Sequence, residues 1–154
     1  MRILGIDYGR RRIGLALSDE EEILASPLPP HVRRHSEERD IAALASRIKR
    51  HTVKAVVVGW PLNMDGSRGE MAREAELFAD RIRQQTGLPI DLFDERLTST
   101  EAERVLVEAN LPRRRRKELR DSLSATLILQ GHLDRKNVSG RPPQSEPTPS
   151  SPPA

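Results

Sequence analysis

Three carboxylates carry the clearest chemical signal in this chain. Asp7 closes the apolar run RILGID, and Tyr8-Gly9 breaks the chain directly after it. Glu95 stands at the end of PIDLFDE (89–95). Asp121 follows the basic stretch 113–117 and precedes a long apolar segment. Burying an acid at the end of an apolar strand is costly unless a cation or donors compensate. As a group, the three are hard oxygen ligands suited to Mg²⁺ or Mn²⁺. A pair of such ions supports phosphodiester hydrolysis, one activating water and one stabilising the leaving oxygen. Each acid also has a plainer reading. Asp7 can cap its turn through backbone N–H groups, and Asp121 suits the positive end of a helix dipole. Asp94 and Glu95 are strand neighbours and point to opposite faces, so only one of them is expected as a ligand. Asp19 simply starts a turn after the second strand.

Two basic runs adjoin these acids: Arg10-Arg11-Arg12 and Arg113-Arg114-Arg115-Arg116-Lys117. Charge runs are commonly solvated faces. Beside metal ligands, they also suit the neutralisation of a nucleic-acid backbone, and Arg contacts phosphate bidentately. Aromatic residues make up only 3%, so base-stacking platforms are scarce. Gly9 and Gly14 have the glycine spacing of a P-loop, but Leu15-Ala16 replaces the required Lys and Ser/Thr. His31 and His35 stand four apart in a Pro-flanked stretch with no helical pattern, so zinc is not expected there. His51 is isolated, and His132 is expected in a core or surface role.

The elements that must position these groups read as βββ-α-β-α-β-α-α. Residues 2–7 are a strand buried on both faces, and 12–18 alternate as a second strand. Residues 23–28 are a third, stopped by Pro29-Pro30. Short turns join these three as an antiparallel meander. Ser36 caps a helix over 37–51, and 54–60 is another buried strand. After the loop 61–66, Ser67 and Glu70 form a capping box for a helix over 68–86, ended by Gly87. A strand over 89–95 follows. Thr98 and Glu101 form a second capping box for a helix ending near Asn110. Pro112 opens a last helix running to about Asp134, with Asp121, Ala125, Ile128 and His132 on one face. Helices between strands 1, 4 and 5 imply right-handed parallel crossovers. The expected fold is α/β, a mixed five-stranded sheet flanked by helices, with its ligand site beyond the strands' carboxyl ends.

The chain has 154 residues, 26 Lys+Arg against 23 Asp+Glu, and no cysteine. Disulfide scaffolds, thiolate metal sites and a thiol nucleophile are excluded. The longest apolar run, AVVVGWPL (55–62), is too short to span a membrane. No signal-peptide pattern opens the chain, so the expected location is the cytoplasm, with no membrane partner. Residues 136–154 hold six of the twelve prolines and too little apolar surface to offset ordering. One folded domain over 1–135 and a disordered Pro/Ser-rich tail over 136–154 are expected.

Four segments, GIDYGRRRIGLALSD (5–19), VVVGWPLNMDG (56–66), DERLTSTEAERVL (94–106) and DSLSATLILQGHLD (121–134), together resemble the bacterial YqgF/RuvX family. They span nearly all of residues 1–134 in family order. The resemblance implies a ribonuclease H-like fold, similar to the RuvC class of Holliday-junction resolvases. It implies a metal-dependent nuclease for the 5′ end of pre-16S rRNA, or alternatively resolution of branched DNA. It makes Asp7, Glu95 and Asp121 the metal-binding catalytic carboxylates, holding two Mg²⁺ or Mn²⁺ ions. Arg12, Asn63, Gly66, Arg96 and Thr98 are implied around the site, with Asn63 and Thr98 bonding phosphate or orienting a carboxylate. Trp60 and Ser124 depart from the residues usual at their positions. Structured precursor rRNA or branched DNA is the expected partner, with the ribosomal particle as a further one. A monomer fits the RNA reading. Symmetric cutting of a four-way junction needs a homodimer, and the Trp60 loop and the helix after Glu95 are its candidate interfaces. A non-catalytic RNA- or ribosome-binding protein is a reading of another class, which three intact carboxylates oppose because acids repel phosphate without metal. GIDYG also resembles the first phosphate loop of actin-like and sugar-kinase ATPases, but that architecture needs two such domains.

Overall fold

The computed structural model describes residues 1–98 and 101–139. A five-stranded sheet forms the centre: β1 (Arg2–Asp7), β2 (Arg12–Ser18), β3 (Ala25–Val32), β4 (Val53–Trp60) and β5 (Ile90–Asp94), in the spatial order β3-β2-β1-β4-β5. The first three strands pair antiparallel, whereas β1-β4 and β4-β5 are parallel. The expected mixed sheet is therefore present. Helices α1 (Glu37–Arg50) and α2 (Glu70–Thr86) cover one face. The chain then continues through α3 (Glu101–Ala109), the single-turn α4 (Arg116–Leu119) and α5 (Leu123–Ser139). No helix among the described residues is long and apolar enough to cross a membrane.

Strand periodicity divides the buried residues into two layers. Leu4, Ile6, Ile13, Leu15, Val56 and Val58 pack with Ile41, Leu44, Phe78 and Ile82 under α1 and α2. Ile3, Ala16, Val57 and Phe93 pack with Ala125, Ile128, Leu129 and Leu133 of α5. The α5 side is lined by smaller residues, so that helix comes closer to the strands. At Gly5 a Cβ would lie 2.7 Å from Leu129 Cβ and 3.1 Å from the Ala125 carbonyl oxygen.

Several boundaries differ from the sequence expectation, each for a physical reason. β3 begins later and continues through Pro29-Pro30 to Val32. It is an edge strand, and its register with β2 shifts between Ile13 and Leu15, so the prolines lie at an irregularity where missing N–H groups are tolerated. Ser67 does not cap α2; Gly69 does. The Ser67 hydroxyl instead donates to Asp65 (2.6 Å) and accepts from the Asn63 amide (2.9 Å), closing the loop on itself. α3 starts at Glu101, and the segment 99–100 that would join it to the expected Thr98 cap lies outside the described residues; the Thr98 hydroxyl donates to the Glu95 carbonyl oxygen at 2.7 Å. The expected single helix from Pro112 is broken by 3₁₀ turns at Arg113–Arg115 and Arg120–Ser122. Ser122 explains the second break, because its hydroxyl donates to the Leu28 carbonyl (2.5 Å) and accepts from the Leu15 N–H (3.1 Å). α5 also runs to Ser139, past the expected domain end at 135, with Lys136 paired to Glu22 at 2.5 Å. The rest of the expected tail, 140–154, lies outside the described residues.

Replacing Gly5 tests the close helix–sheet contact. Gly5→Ala forces α5 away from β1 and is expected to destabilise by about 1–3 kcal/mol, read from the urea midpoint at unchanged slope. An unchanged midpoint would show that the contact is loose.

Candidate active site

Asp7 is the last residue of β1 and shares the α5-covered face with Ile3 and Gly5. Glu95 follows β5 directly and opens a 3₁₀ turn, Glu95–Leu97. β4 lies between these strands. The Glu95 side chain crosses it at Gly59, where a Cβ would stand 2.5 Å from Glu95 Oε2 and 2.5 Å from Ile128 Cδ1. Any larger residue at 59 would expel the carboxylate, so this glycine lets Glu95 lie over β4 beside Asp7.

The proximity shows in the proton affinities. Burial pushes Asp7 up to about 6, opposed by the positive charge of Arg104. Burial likewise pushes Glu95 up to about 7, reinforced by the negative charges of Asp7 and then Asp94. Among the described residues, neither side chain has a hydrogen-bond donor or an ion-pair partner within 4 Å. Asp94 is turned to other work, accepting from the Arg96 backbone N–H (3.0 Å) and guanidinium (2.7 Å). Of this neighbouring pair, Glu95 lies against Gly59 and Asp94 binds Arg96.

Asp121 occupies the third place across the sheet. Its carbonyl oxygen would be 2.5 Å from a Cβ on Gly14, the residue paired directly with Asp7. Asp121, Asp7 and Glu95 thus lie over the neighbouring strands β2, β1 and β4, each about 5 Å apart. The Asp121 carboxylate, however, accepts a 2.8 Å bond from Arg12 Nη1. Among the described residues, no three acidic or histidine side chains converge closely enough to hold an ion together. Asp121 also sits in the 3₁₀ turn and not on the regular helix that carries Ala125 and Ile128.

The surrounding residues divide by their bonds. The Thr98 N–H and hydroxyl both donate to the Glu95 carbonyl, so Thr98 orients the Glu95 segment. Asn63 shapes its own loop through Ser67 and Gly66. Arg96 ties that loop to the Glu95 turn by donating to the Met64 carbonyl (3.2 Å), and Gly66 backs onto its guanidinium. Trp60 donates to Glu76 at 2.7 Å, and Arg68 grips the same carboxylate. Arg10 is engaged by Glu74 (2.5 Å) and Glu70 (3.3 Å). In the second basic run, Arg115 pairs with Glu118 and Arg116 donates to the Ala109 and Leu111 carbonyls. Arg11, Arg113, Arg114 and Lys117 are exposed, with no side-chain partner among the described residues. Of the histidines, His31 is buried against Asp40 and His35 is exposed, so they form no metal pair. His132 packs edge-on against Phe93 and senses Asp91, Lys136 and Glu22, away from the two acids.

Sequence reasoning missed Arg104, which reaches from α3 to the Ser124 hydroxyl at 3.1 Å and is the cation acting on Asp7. It lies in an ordinary helical charge pattern, and no local signal marks it.

The raised affinity of Asp7 has a consequence for stability. A carboxyl that holds its proton more tightly when folded disfavours the fold once ionised. That cost is absent below its unfolded value of 3.8 and complete above about 6. In EDTA, Asp7→Asn is expected to remove this part of the stability lost as pH rises from 4 to 7. At pH 8 it should be more stable than the parent by about 1–3 kcal/mol. Thermal unfolding across that range checks it; a variant less stable than the parent at pH 8 would refute the desolvated acid.

Comparison with known proteins identifies the family of the chain. The family model RuvX, described as Holliday junction resolvase, matches residues 1–135. A Moorella thermoacetica protein named "Putative pre-16S rRNA nuclease" is 46% identical over 140 residues, covering 91% of this chain and 99% of its own. A Myxococcus xanthus protein of the same name is 44% identical over 146 residues, covering 95% and 93%. Among solved structures, Thermus thermophilus RuvC superposes with a TM-score of 0.59 at 17% identity, covering 90% of this chain and 97% of that one. Fowlpox virus resolvase, solved with Holliday junction DNA, gives 0.57 at 9% identity, covering 88% and 98%. These structures share the fold, the relatives share the sequence along its length, and the chain belongs to the RuvX family.

Proposed function

We propose that this chain is a divalent-metal-dependent endonuclease that processes the 5′ end of pre-16S rRNA in the cytoplasm. The observation that carries the reading is the Asp7–Glu95 pair: two half-buried carboxylates whose charges act on one another, with Arg104 as the cation acting on Asp7. Such an arrangement is unfavourable in isolation and suits a hard dication. The donor set is all oxygen, as Mg²⁺ or Mn²⁺ prefers. A bound dication supplies charge stabilisation at the phosphoryl oxygens and acidifies water.

The chain's own residues do the rest. Asp7 and Glu95 hold the cation, Thr98 fixes the Glu95 turn, and Gly59 keeps the space for its carboxylate. Asp121 completes the ligand set when Arg12 exchanges its carboxylate for a phosphate of the substrate. Arg12, Arg11, Arg113, Arg114 and Lys117 place positive charge along the approach. Asn63 and Arg96 shape the rim of the site, and Arg10 contributes through its field. We further propose that the folded unit ends with α5 and that residues 140–154 lie outside it.

Resolution of branched DNA is the second reading, favoured by the description of the matching family model as a resolvase. It requires a dimer with two sites.

Offering a precursor 16S rRNA 5′ segment and a four-way DNA junction in parallel, with Mn²⁺ or Mg²⁺, separates the two. Metal-dependent cutting of the RNA is expected from the monomer. Asp7→Asn and Glu95→Gln should lose more than the roughly 10–100-fold typical of outer-shell changes. Cutting of the junction alone, by a dimer, would select resolution. Full activity in folded Asp7→Asn would overturn the site. Ending the chain after Ser139 should leave the unfolding midpoint and cutting rate of the parent; a clear loss of either would put the tail inside the functional unit.

A further inference from the structure

A buried ion network stands beside the β1–β2 turn, and the chemistry above does not use it. Asp40 of α1 is fully buried. Its Oδ1 lies 2.8 Å from His31 Nε2 and accepts from the Arg34 backbone N–H at 2.9 Å. Its Oδ2 accepts from Arg33 Nε at 3.1 Å. Arg33 also donates to the Tyr8 hydroxyl (2.9 Å) and the Gly9 carbonyl (3.3 Å) and pairs with Glu37. Its guanidinium lies 5.1 Å from the Tyr8 ring centre. The Arg33 N–H donates to the Arg11 carbonyl at 2.9 Å. Buried charge is a poor source of net stability, because desolvation offsets the attraction. What these bonds achieve is placement: they lock the end of β3 against the turn that follows Asp7.

Between the two locked segments lies a groove of about 550 Å³, walled by Arg10–Arg12 on one side and Val32–His35 on the other. Its charges divide into two sets. Arg33 is consumed by Asp40 and Glu37, and Arg10 by Glu74 and Glu70. Arg11, Arg34 and His35 are exposed, and their side chains have no partner among the described residues. Three donor side chains without acceptors, on backbone held rigid from beneath, are organised for an external anion. Arg12 lines the same groove and holds Asp121, so one side chain joins the groove to the carboxylate site. Exposed Val32 adds apolar surface beside Arg12, its cross-strand partner.

We propose that this groove is a binding site for a nucleic-acid phosphodiester backbone, with Arg11, Arg34 and His35 as its phosphate contacts, and that it delivers the strand to Asp7 and Glu95. The proposal rests on the nuclease reading for its direction. A merely solvated basic face would not need a fully buried acid to fix its backbone.

The test uses the full chain in EDTA, where binding is separated from cutting. Fluorescence anisotropy follows labelled single strands of RNA and of DNA with one sequence, over a series of salt concentrations. R11Q/R34Q is expected to bind about tenfold or more weakly at low salt. The slope of log K against log [salt] should become shallower by about 1.4, two contacts at about 0.7 each. K49Q/R50Q removes the same charge at the far end of α1 and should keep the parent slope. Both pairs of side chains are exposed, and matching thermal midpoints confirm the fold. A change with RNA alone identifies RNA as the occupant, one with DNA alone identifies DNA, and either supports the groove. An R11Q/R34Q protein with the parent slope on both strands overturns it, and does so without touching the nuclease reading if the parent still cuts. A folded parent protein that binds neither strand also overturns the groove, while the nuclease reading is decided separately by the metal-dependent cutting assay.

Discussion

The constraint on which this structure turns is the partial withdrawal of two acids from water at one end of a sheet. Asp7 must sit at the end of a central strand to be shielded, and Glu95 must cross β4 to reach it. Neither is possible unless the α5 face of the sheet is built from small residues. Gly59 supplies the space for Glu95, and the other close contacts bring α5 down over the strands. The fold therefore gives up side-chain burial on one face to hold charge there.

The opposite face supplies the stability that this arrangement uses. Leu, Ile, Val and Phe side chains from β1, β2, β4, α1 and α2 form a cluster with most members under 5% exposed. Burying one such side chain contributes about 1.5–3 kcal/mol. The ionisation cost of Asp7, of the order of 2–3 kcal/mol, is comparable to one of them. A sheet with one stabilising face and one functional face can thus carry a desolvated acid pair without losing its fold.

Much of this was legible in the sequence because strand periodicity and chain breaks are local. Asp7 is marked by the apolar run before it and the Tyr8-Gly9 break after it. Glu95 is separated from Asp94 by the alternation of a strand. The fold class follows from strands spaced by helices. What was not legible depends on contacts distant in sequence. Ser67 looks like a helix cap until Asp65 and Asn63 claim it. The helix from Pro112 looks continuous until Ser122 docks on β2 and β3. The carboxylate of Asp121 is assigned by its type, but only the structure gives it to Arg12. Nothing in the sequence marks Arg34 or His35 for the groove, because the acid that fixes their segment is Asp40, inside a helix whose other buried positions are apolar.

Placing acids beside a groove meant for polyanions appears self-defeating in Coulomb terms, and the formal charge of +3 does not by itself resolve it. The resolution lies in where the charges are and when they exist. Glu95, with a proton affinity raised to about 7, is partly neutral near pH 7, and Asp7, raised to about 6, is the more ionised of the pair there. The unpartnered arginines outside remain charged at every accessible pH. Desolvation thus mutes the negative charge at the centre while leaving the positive charge at its approach intact. On the proposed function, an incoming backbone would meet cations first, and a dication would hold the full negative charge of the acid pair.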